Sequence, residues 1–316
     1  MADAGQEQSG SNWERGVLEK VALAAIAEQR ATRRWGTAFK LLLLVYLFVV
    51  LFVGMGWIRQ GEHATSGKHT ALVELRGVIS AESPASADNV TSGLQAAFKD
   101  ANTQGVILRI NSPGGSPVQA GYINDEIFRL REKYPDIPLY AVVEDMCASG
   151  GYYVAAAADK IYADKGSLVG SIGVRMDGFG FVDTMQKLGV ERRLFTAGAN
   201  KGFLDPFSNL DETHVEHVQK LLGDIHQQFI NTVKKKRRDK LSDDPNIFSG
   251  LVWTGTQALE LGLVDEFGST GMVARDVIKA EKIVDFTPRD YSVEGLLKRS
   301  GVSMLSELLS TRGWSW

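Results

Sequence analysis

Cysteine is almost absent from the sequence: among 316 residues there is a single one, Cys147. An intrachain disulfide is therefore excluded, and the cysteine content alone does not fix the cellular compartment. Excess positive charge is also missing, since the formal net charge is −3, so nothing in the composition indicates a nucleic-acid partner. The hydrophobic content of 44% is typical of a globular chain rather than a disordered one. We expect a globular protein without a metal or other cofactor.

Charge is missing altogether from residues 41–58, which read LLLLVYLFVVLFVGMGWI. With three preceding residues this run reaches the roughly 20 apolar residues that a membrane-spanning helix needs, so we predict a transmembrane helix over 37–58. A buried core helix would normally carry a polar face, and a cleaved signal peptide would not follow some forty polar residues. Basic residues are concentrated on the N-terminal side of the uncharged run at 41–58: Lys20, Arg30, Arg33, Arg34 and Lys40 precede this run, whereas Arg59 and Lys68 follow it. This asymmetry predicts a cytoplasmic N-terminus and, in a bacterium, a single-pass inner-membrane protein with a periplasmic or otherwise extracytoplasmic domain.

The whole chain divides by composition into five predicted parts. These are a polar cytoplasmic head (1–36), the transmembrane helix (37–58), a linker (59–69), a soluble domain (70–288) and a C-terminal tail (289–316). Short buried strands alternate with helices along the soluble domain, which predicts an α/β domain with a mostly parallel sheet. The pattern includes a predicted strand over 192–198, a long helix over 211–240 and a helix over 269–284.

Two glycine-rich junctions each follow a predicted strand: NSPGGS at 111–116 and ASGG at 148–151. Either one alone is explained by a turn. Together they predict a nucleophilic site, because Ser149 would sit at a helix N-terminus among unpaired backbone N–H groups. The N–H of Gly150 and a donor from the Gly114–Gly115 loop could form an oxyanion hole. Each such donor typically contributes about 2.7–4 kcal/mol of transition-state stabilisation.

A nucleophilic serine needs a general base. We expect His63 and His69 to precede the domain, and the other three histidines (His214, His217 and His226) to lie on one exposed helix at spacings expected by chance. A catalytic histidine is therefore disfavoured. A desolvated lysine can act instead, and Lys201 lies in a small-residue loop after a predicted strand. On its own, Lys201 is more readily explained as a solvated loop residue.

Several motifs occur in a characteristic order: NSPGG, ASGGYY, GSIGV, a lysine-containing segment ending in DPF, and TGTQALELGLVDEFG. In this order they resemble the signal peptide peptidase A family of membrane-bound Ser/Lys proteases, in its short form, over about residues 69–285. The resemblance implies a fold of ββα repeats like that of Clp proteases and crotonases. It implies Ser149 as nucleophile, Lys201 as base, and Gly115 and Gly150 as oxyanion donors. Ser171 matches a family serine that could hydrogen-bond the lysine, although a strand-end serine bonded to backbone explains it equally well.

The same resemblance implies a membrane-anchored serine endopeptidase that cleaves remnant signal peptides and other short hydrophobic peptides. It also implies a homo-oligomer in which the serine and the lysine can meet across a subunit boundary. Two alternatives stay open: an acyl-CoA hydratase-like enzyme using the same oxyanion hole, and a non-catalytic membrane-bound scaffold. Cys147, two residues before Ser149, is expected to be a small buried residue rather than a nucleophile.

Overall fold

The computed structural model describes residues 20, 23, 26, 28–30, 32–50, 67–237 and 239–288. Residues 32–50 are helical, and the large apolar side chains at 39 and 41–50 are all exposed. Within the described residues, no helix combines the length and the hydropathy required to cross a bilayer. Positions 51–58 of the predicted span lie outside the described residues, as do most of the predicted head and linker and the whole predicted tail.

Eight strands form a single sheet in the described part of the chain. They are β1 (His69–Arg76), β2 (Thr103–Ser112), β3 (Leu139–Ala148), β4 (Lys160–Ala163), β5 (Leu168–Gly170), β6 (Val252–Thr254), β7 (Glu266–Phe267) and β8 (Ile283–Asp285). The strand order is β6-β5-β3-β2-β1-β8, and β4 pairs with both β3 and β7. Only the β5–β6 pair is antiparallel among these strands. The predicted mostly parallel α/β fold is confirmed, whereas the assignment to ββα repeats stays a prediction.

Seven α-helices connect the strands of this domain. They are α1 (Ala87–Lys99), α2 (Pro117–Lys133), α3 (Gly150–Ala155), α4 (Val182–Leu188), α5 (Glu212–Arg237), α6 (Gly255–Glu260) and α7 (Thr270–Met272). A 3₁₀ turn at Pro245–Phe248 and a π-helical turn at Val273–Val277 complete the set. Serine caps fix where the first two helices begin, since Ser86 accepts from Asn89 N and Ser116 accepts from Gln119 N.

The core lies on one face of the central strands. Alternate residues of β1 point to opposite faces, so Val73 and Leu75 join the main cluster whereas Leu72 joins a smaller one. The main cluster is filled by fully buried side chains from the helices, including Leu94, Ile123, Ile127 and Tyr152. Because β2 and β3 are parallel neighbours, their carboxyl ends, at Ser112 and Ala148, meet at one edge of the sheet. This edge holds the candidate site.

Helix α5 is fastened to the domain through its C-terminal half. Phe229, Val233 and Arg237 are its buried residues. The Arg237 guanidinium donates to the Gly262 carbonyl at 2.6 and 2.9 Å and pairs with Asp265 at 2.9 Å. The N-terminal half of α5 has no buried residue, so it extends from the domain together with the segment that precedes it.

Three local predictions are wrong. Residues 192–198 form no strand: Arg192 instead pairs with Asp205 and lies over the Phe207 ring at 5.1 Å, and Phe195 is 91% exposed. The predicted helix over 269–284 divides into α7, the π-helical turn and β8, because β8 gains a parallel partner in β1. His69 does not precede the domain but begins β1, where it is buried and stacks on Phe286 at 5.8 Å.

Candidate active site

Ser149 joins β3 to α3 in a strained backbone conformation. Its φ of 52° and ψ of −123° are rare for a residue with a side chain, and such conformations cost about 1–3 kcal/mol. Two hydrogen bonds hold it there: Ser149 N donates to the Gly170 carbonyl at 2.8 Å, and Tyr153 N donates to the Ser149 carbonyl at 3.0 Å. The side-chain hydroxyl has no hydrogen-bond partner among the described residues. The junction therefore presents a serine hydroxyl that is free to act.

The Gly114–Gly115 loop presses directly against this serine. A Cβ on Gly114, whose φ is +96°, would lie 2.7 Å from both Gly150 N and Ser149 Cβ. A Cβ on Gly115 would lie 2.1 Å from the Ile79 carbonyl oxygen. Ile79 fixes the loop through two backbone bonds, donating to the Gly114 carbonyl at 2.9 Å and accepting from Ser116 N at 2.8 Å. Glycine is required at both positions because backbone and nucleophile approach so closely.

Two backbone N–H groups are available beside Ser149. The amide nitrogen of Gly115 lies 3.3 Å from the position that a Cβ on Gly150 would occupy, so the two glycines are neighbours. Neither N–H has an acceptor within the part of the chain that the structure describes. Unpaired backbone donors are uncommon in folded proteins. Since α3 has only six residues, its macrodipole adds little, and the two N–H groups themselves can stabilise an oxyanion.

Ser112 supports the glycine loop through two hydrogen bonds, and this role was not predicted from the sequence. Its buried hydroxyl donates to the Gly77 carbonyl at 2.7 Å and accepts from Gly114 N at 3.1 Å. These two bonds connect the end of β1 to the loop. The available sequence signal was a serine at the end of a buried strand, directly before Pro-Gly-Gly.

Ser171 lies beside Ser149, as the register of the sheet shows. Ala148 pairs with Gly170 at the ends of the parallel strands β3 and β5, and the residue that follows each strand is a serine. Ser171 also has a positive φ, of 52°, and its N donates to the Leu251 carbonyl at 2.7 Å. Its hydroxyl has no partner among the described residues, so the hydrogen bond to backbone that would explain it locally is not observed.

Lys201 lies on a turn between β5 and α5, where its N donates to the Gly198 carbonyl at 3.1 Å. Its side chain is exposed. Over the described residues, no hydrogen bond joins the Lys201 amine to Ser149 or Ser171. Within one chain the predicted pair is therefore not joined by a hydrogen bond.

Other candidate groups do not contact Ser149. Cys147 is fully buried, and burial raises the pKa of its thiol, which confirms it as a small buried residue. None of the histidines that the structure describes bonds to the Ser149 hydroxyl; His226 instead places Nε2 3.1 Å from the Ile172 carbonyl oxygen. The same part of the chain holds no group of three or more acidic, histidine or cysteine side chains suited to a metal ion.

Comparison with known proteins adds a family assignment. The model of peptidase family S49 matches residues 131–284, a segment that contains Ser149, Ser171 and Lys201. A protein of Enterococcus faecium, provisionally named signal peptide peptidase SppA, is 29% identical over 238 residues, covering 73% of this chain and 69% of that protein. A protein of Methanocaldococcus jannaschii, provisionally named as a protease, is 32% identical over 211 residues, covering 67% of this chain and 66% of that protein.

Another relative carries a different name. A Brucella melitensis protein named Na⁺/H⁺ antiporter NhaA is 47% identical over 175 residues, which is 55% of this chain and 24% of that protein. This chain thus spans about a quarter of that relative's length, and the antiporter name describes the much longer protein. The matches to proteases and the family model agree with the geometry around Ser149. The chain belongs to peptidase family S49.

Proposed function

We propose that the protein is a serine endopeptidase with Ser149 as its nucleophile. The observation that carries the proposal is the strained Ser149 junction with the free N–H groups of Gly115 and Gly150 beside it. The Ser149 oxygen attacks the scissile carbonyl carbon, and the two N–H groups stabilise the negative charge that develops on the carbonyl oxygen. Collapse of this intermediate releases the amine product and leaves an acyl-enzyme, which water then hydrolyses.

Lys201 is the proposed general base. Its neutral amine takes the proton from the serine hydroxyl, and the resulting ammonium protonates the leaving amine. A lysine amine is available in neutral form only where water is excluded. The Ser171 hydroxyl is the proposed hydrogen-bond partner that orients this amine, and the pairing of Ala148 with Gly170, the residues just before the two serines, supports this role.

We propose further that Lys201 reaches the Ser149 of a second copy, so that the working enzyme is a homo-oligomer. The segment between Gly173 and α5, which we call the lysine arm, supports this. It exposes several large apolar side chains that the chain itself does not cover, including Phe179 (80%), Leu188 (72%), Phe195 (91%) and Leu210 (72%). Monomeric proteins rarely leave so much apolar surface in water. Packing of this arm on a neighbour would bury these side chains and remove water from Lys201.

The proposed substrates are hydrophobic peptides, including remnant signal peptides in the membrane. The proposed anchor is the apolar segment 37–58, with a cytoplasmic N-terminus and the peptidase domain on the periplasmic side of a bacterial inner membrane. The helical residues 32–50 support the anchor, because their large apolar side chains from position 41 onward are exposed around the whole helix rather than on one face.

Mixed assemblies test the dyad and its sharing together. Ser149→Ala and Lys201→Ala should each abolish cleavage of a fluorogenic hydrophobic peptide by the full-length protein. Co-assembly of the two variants in equal amounts should restore about a quarter of wild-type activity, since one site in four then combines an intact serine with a neighbour's intact lysine. Lys187→Ala, an exposed lysine on α4 of the same arm, is the matched control and should keep full activity.

Each result has a distinct meaning. Full activity in Lys201→Ala would overturn the assignment of the base, and activity in Ser149→Ala would overturn the peptidase proposal. No recovery in a verified mixed oligomer would place the dyad within one subunit. A serine-directed fluorophosphonate that fails to label Ser149 at any pH up to about 9 would favour the scaffold instead, since a lysine base loses its proton more readily as pH rises.

A further inference from the structure

The three histidines on α5 contact the segments that carry the proposed catalytic groups. His214 and His217 contact the turn around Lys201, and His226 contacts the residue after Ser171. The His226 Nε2 must donate, because the Ile172 carbonyl oxygen at 3.1 Å can only accept. Spacing along the helix gave no sign of these contacts, since the contacted residues are distant in sequence.

The contacts of His214 and His217 surround Lys201 on both sides. His214 Nε2 lies 3.2 Å from the side-chain oxygen of Asn200, the residue before Lys201. The Phe203 ring, two residues after Lys201, meets the rings of His214 and His217 edge to face, with centroids 5.1 and 5.7 Å apart and interplanar angles of 69° and 78°. Such aromatic pairs contribute about 0.5–1.5 kcal/mol beyond their buried area.

The ion pair between Arg192 and Asp205, which lies four residues after Lys201, joins no residue of the turn at 198–203. The backbone bonds of the turn are local, from Lys201 N to the Gly198 carbonyl and from Phe203 N to the Asn200 carbonyl. Helix α5, in contrast, is anchored to the domain near Ser149, where Thr232 donates to the Tyr153 hydroxyl at 3.0 Å and the Phe229 ring lies 5.2 Å from the Tyr153 ring. Helix α5 therefore provides a fixed support for the turn that carries Lys201.

We propose that His214 and His217 are positioning residues that hold the Lys201 turn on α5. The inference rests on the proposed role of Lys201 as base. By fixing Asn200 and Phe203, the two imidazole rings fix the backbone between them and thus the point from which the lysine side chain extends. The Lys201 amine itself stays free to enter a neighbouring site.

The test compares disruptive and conservative double variants of the full-length enzyme. His214→Ala with His217→Ala removes both contacts, and we expect kcat to fall by about 10- to 100-fold, because misplacing a catalytic group by 1 Å can cost 10²-fold. KM should change less than about threefold, since the contacts of the two histidines are with Asn200 and Phe203 and not with Ser149 or the glycine loop. His214→Gln with His217→Phe keeps a donor toward Asn200 and an aromatic edge toward Phe203, and it should recover kcat to within about threefold of wild type.

Lys220→Ala, an exposed residue of α5, is the matched control. Light scattering verifies the oligomer, and thermal denaturation verifies the fold. Wild-type kcat in the alanine pair, no recovery in the Gln/Phe pair, or loss of activity through dissociation of the oligomer would each overturn the inference. If Lys201→Ala is inactive while the alanine pair is fully active, only this inference fails. If Lys201→Ala is fully active, the proposed base fails and this inference fails with it.

Discussion

Replacing Gly114 by alanine should weaken the proposed oxyanion hole while keeping the Ser149 hydroxyl. The new Cβ would lie 2.7 Å from Gly150 N and from Ser149 Cβ, whereas ordinary van der Waals contact begins at 3.4 Å. The loop must therefore retreat by about 0.7 Å, and the N–H of the adjacent Gly115 must move with it. An oxyanion donor acts over a window of only about 2.7–3.1 Å, so the donor would be largely lost.

The expected cost is that of one oxyanion-hole donor, about 2.7–4 kcal/mol of transition-state stabilisation, or 10²- to 10³-fold in kcat. The positive φ of +96° at Gly114 adds a folding cost of about 1–3 kcal/mol for a residue with a side chain. Turnover of a hydrophobic peptide and thermal denaturation measure the two effects separately. Because the loop rather than the hydroxyl is disturbed, a fluorophosphonate should still label Ser149, only more slowly.

Gly121→Ala is the matched control for this prediction. A Cβ on Gly121, in the middle of α2, would meet nothing within 4 Å, so this variant should keep its kcat and be as stable as wild type or up to about 1 kcal/mol more stable. The reasoning is refuted if Gly114→Ala retains kcat within threefold of the control. It is also refuted if the loss of activity is proportional to the fraction of the variant protein that is unfolded.

Two further predictions concern the supports of the site. Ser112→Ala removes the hydroxyl bonded to Gly77 and Gly114, so the free energy of unfolding should fall by about 1–3 kcal/mol and kcat should fall with it; unchanged denaturation and turnover would contradict this. Asp265→Asn leaves the Arg237 guanidinium buried without its counter-charge and should destabilise the domain by about 3–5 kcal/mol at pH 7. Burial raises the pKa of the Asp265 carboxyl, but the hydrogen bond and charge of Arg237, together with hydrogen bonds from Lys240 and the Ile161 N–H, outweigh burial and hold that pKa below its ordinary value. The aspartate therefore stabilises the fold above its unfolded pKa of about 3.9, and this stabilisation is lost as the pH falls through the lower folded pKa. Denaturation curves of wild type and variant should converge at that acidic end, and a constant difference at all pH values would contradict the argument.

Local sequence patterns were sufficient for most of the sheet and for the tight junction at Ser149. The strand that ends at Ala148 is mostly buried and apolar apart from Glu144 and Asp145, and the Ser-Gly-Gly that follows favours a tight turn into a helix. The glycine pair at 114 and 115 was identified for the same reason, since only glycine tolerates such close contact. In each case the decisive interactions lie within a few residues or between adjacent parallel strands.

Predictions failed where a distant partner decides the structure. The residues around Arg192 have the composition of a strand, but no strand of the described sheet pairs with them, and Arg192 forms an ion pair with Asp205. Conversely, Ile283–Asp285 was predicted as helical and became a strand because β1 offers it a parallel edge. The helix positions of His214 and His217 carried no signal, since Phe203 is known as their partner only once the chain has folded.

The sheet ends on both sides in very short strands, β6 and β8, with three residues each. Such short edge strands leave few unpaired amide and carbonyl groups, which limits edge-to-edge pairing with other chains and the formation of fibrils. Copies of this protein therefore have little opportunity to join by extending one another's sheets. Self-association through side chains, as proposed for the lysine arm, is adjustable through single surface substitutions without disturbing the backbone framework.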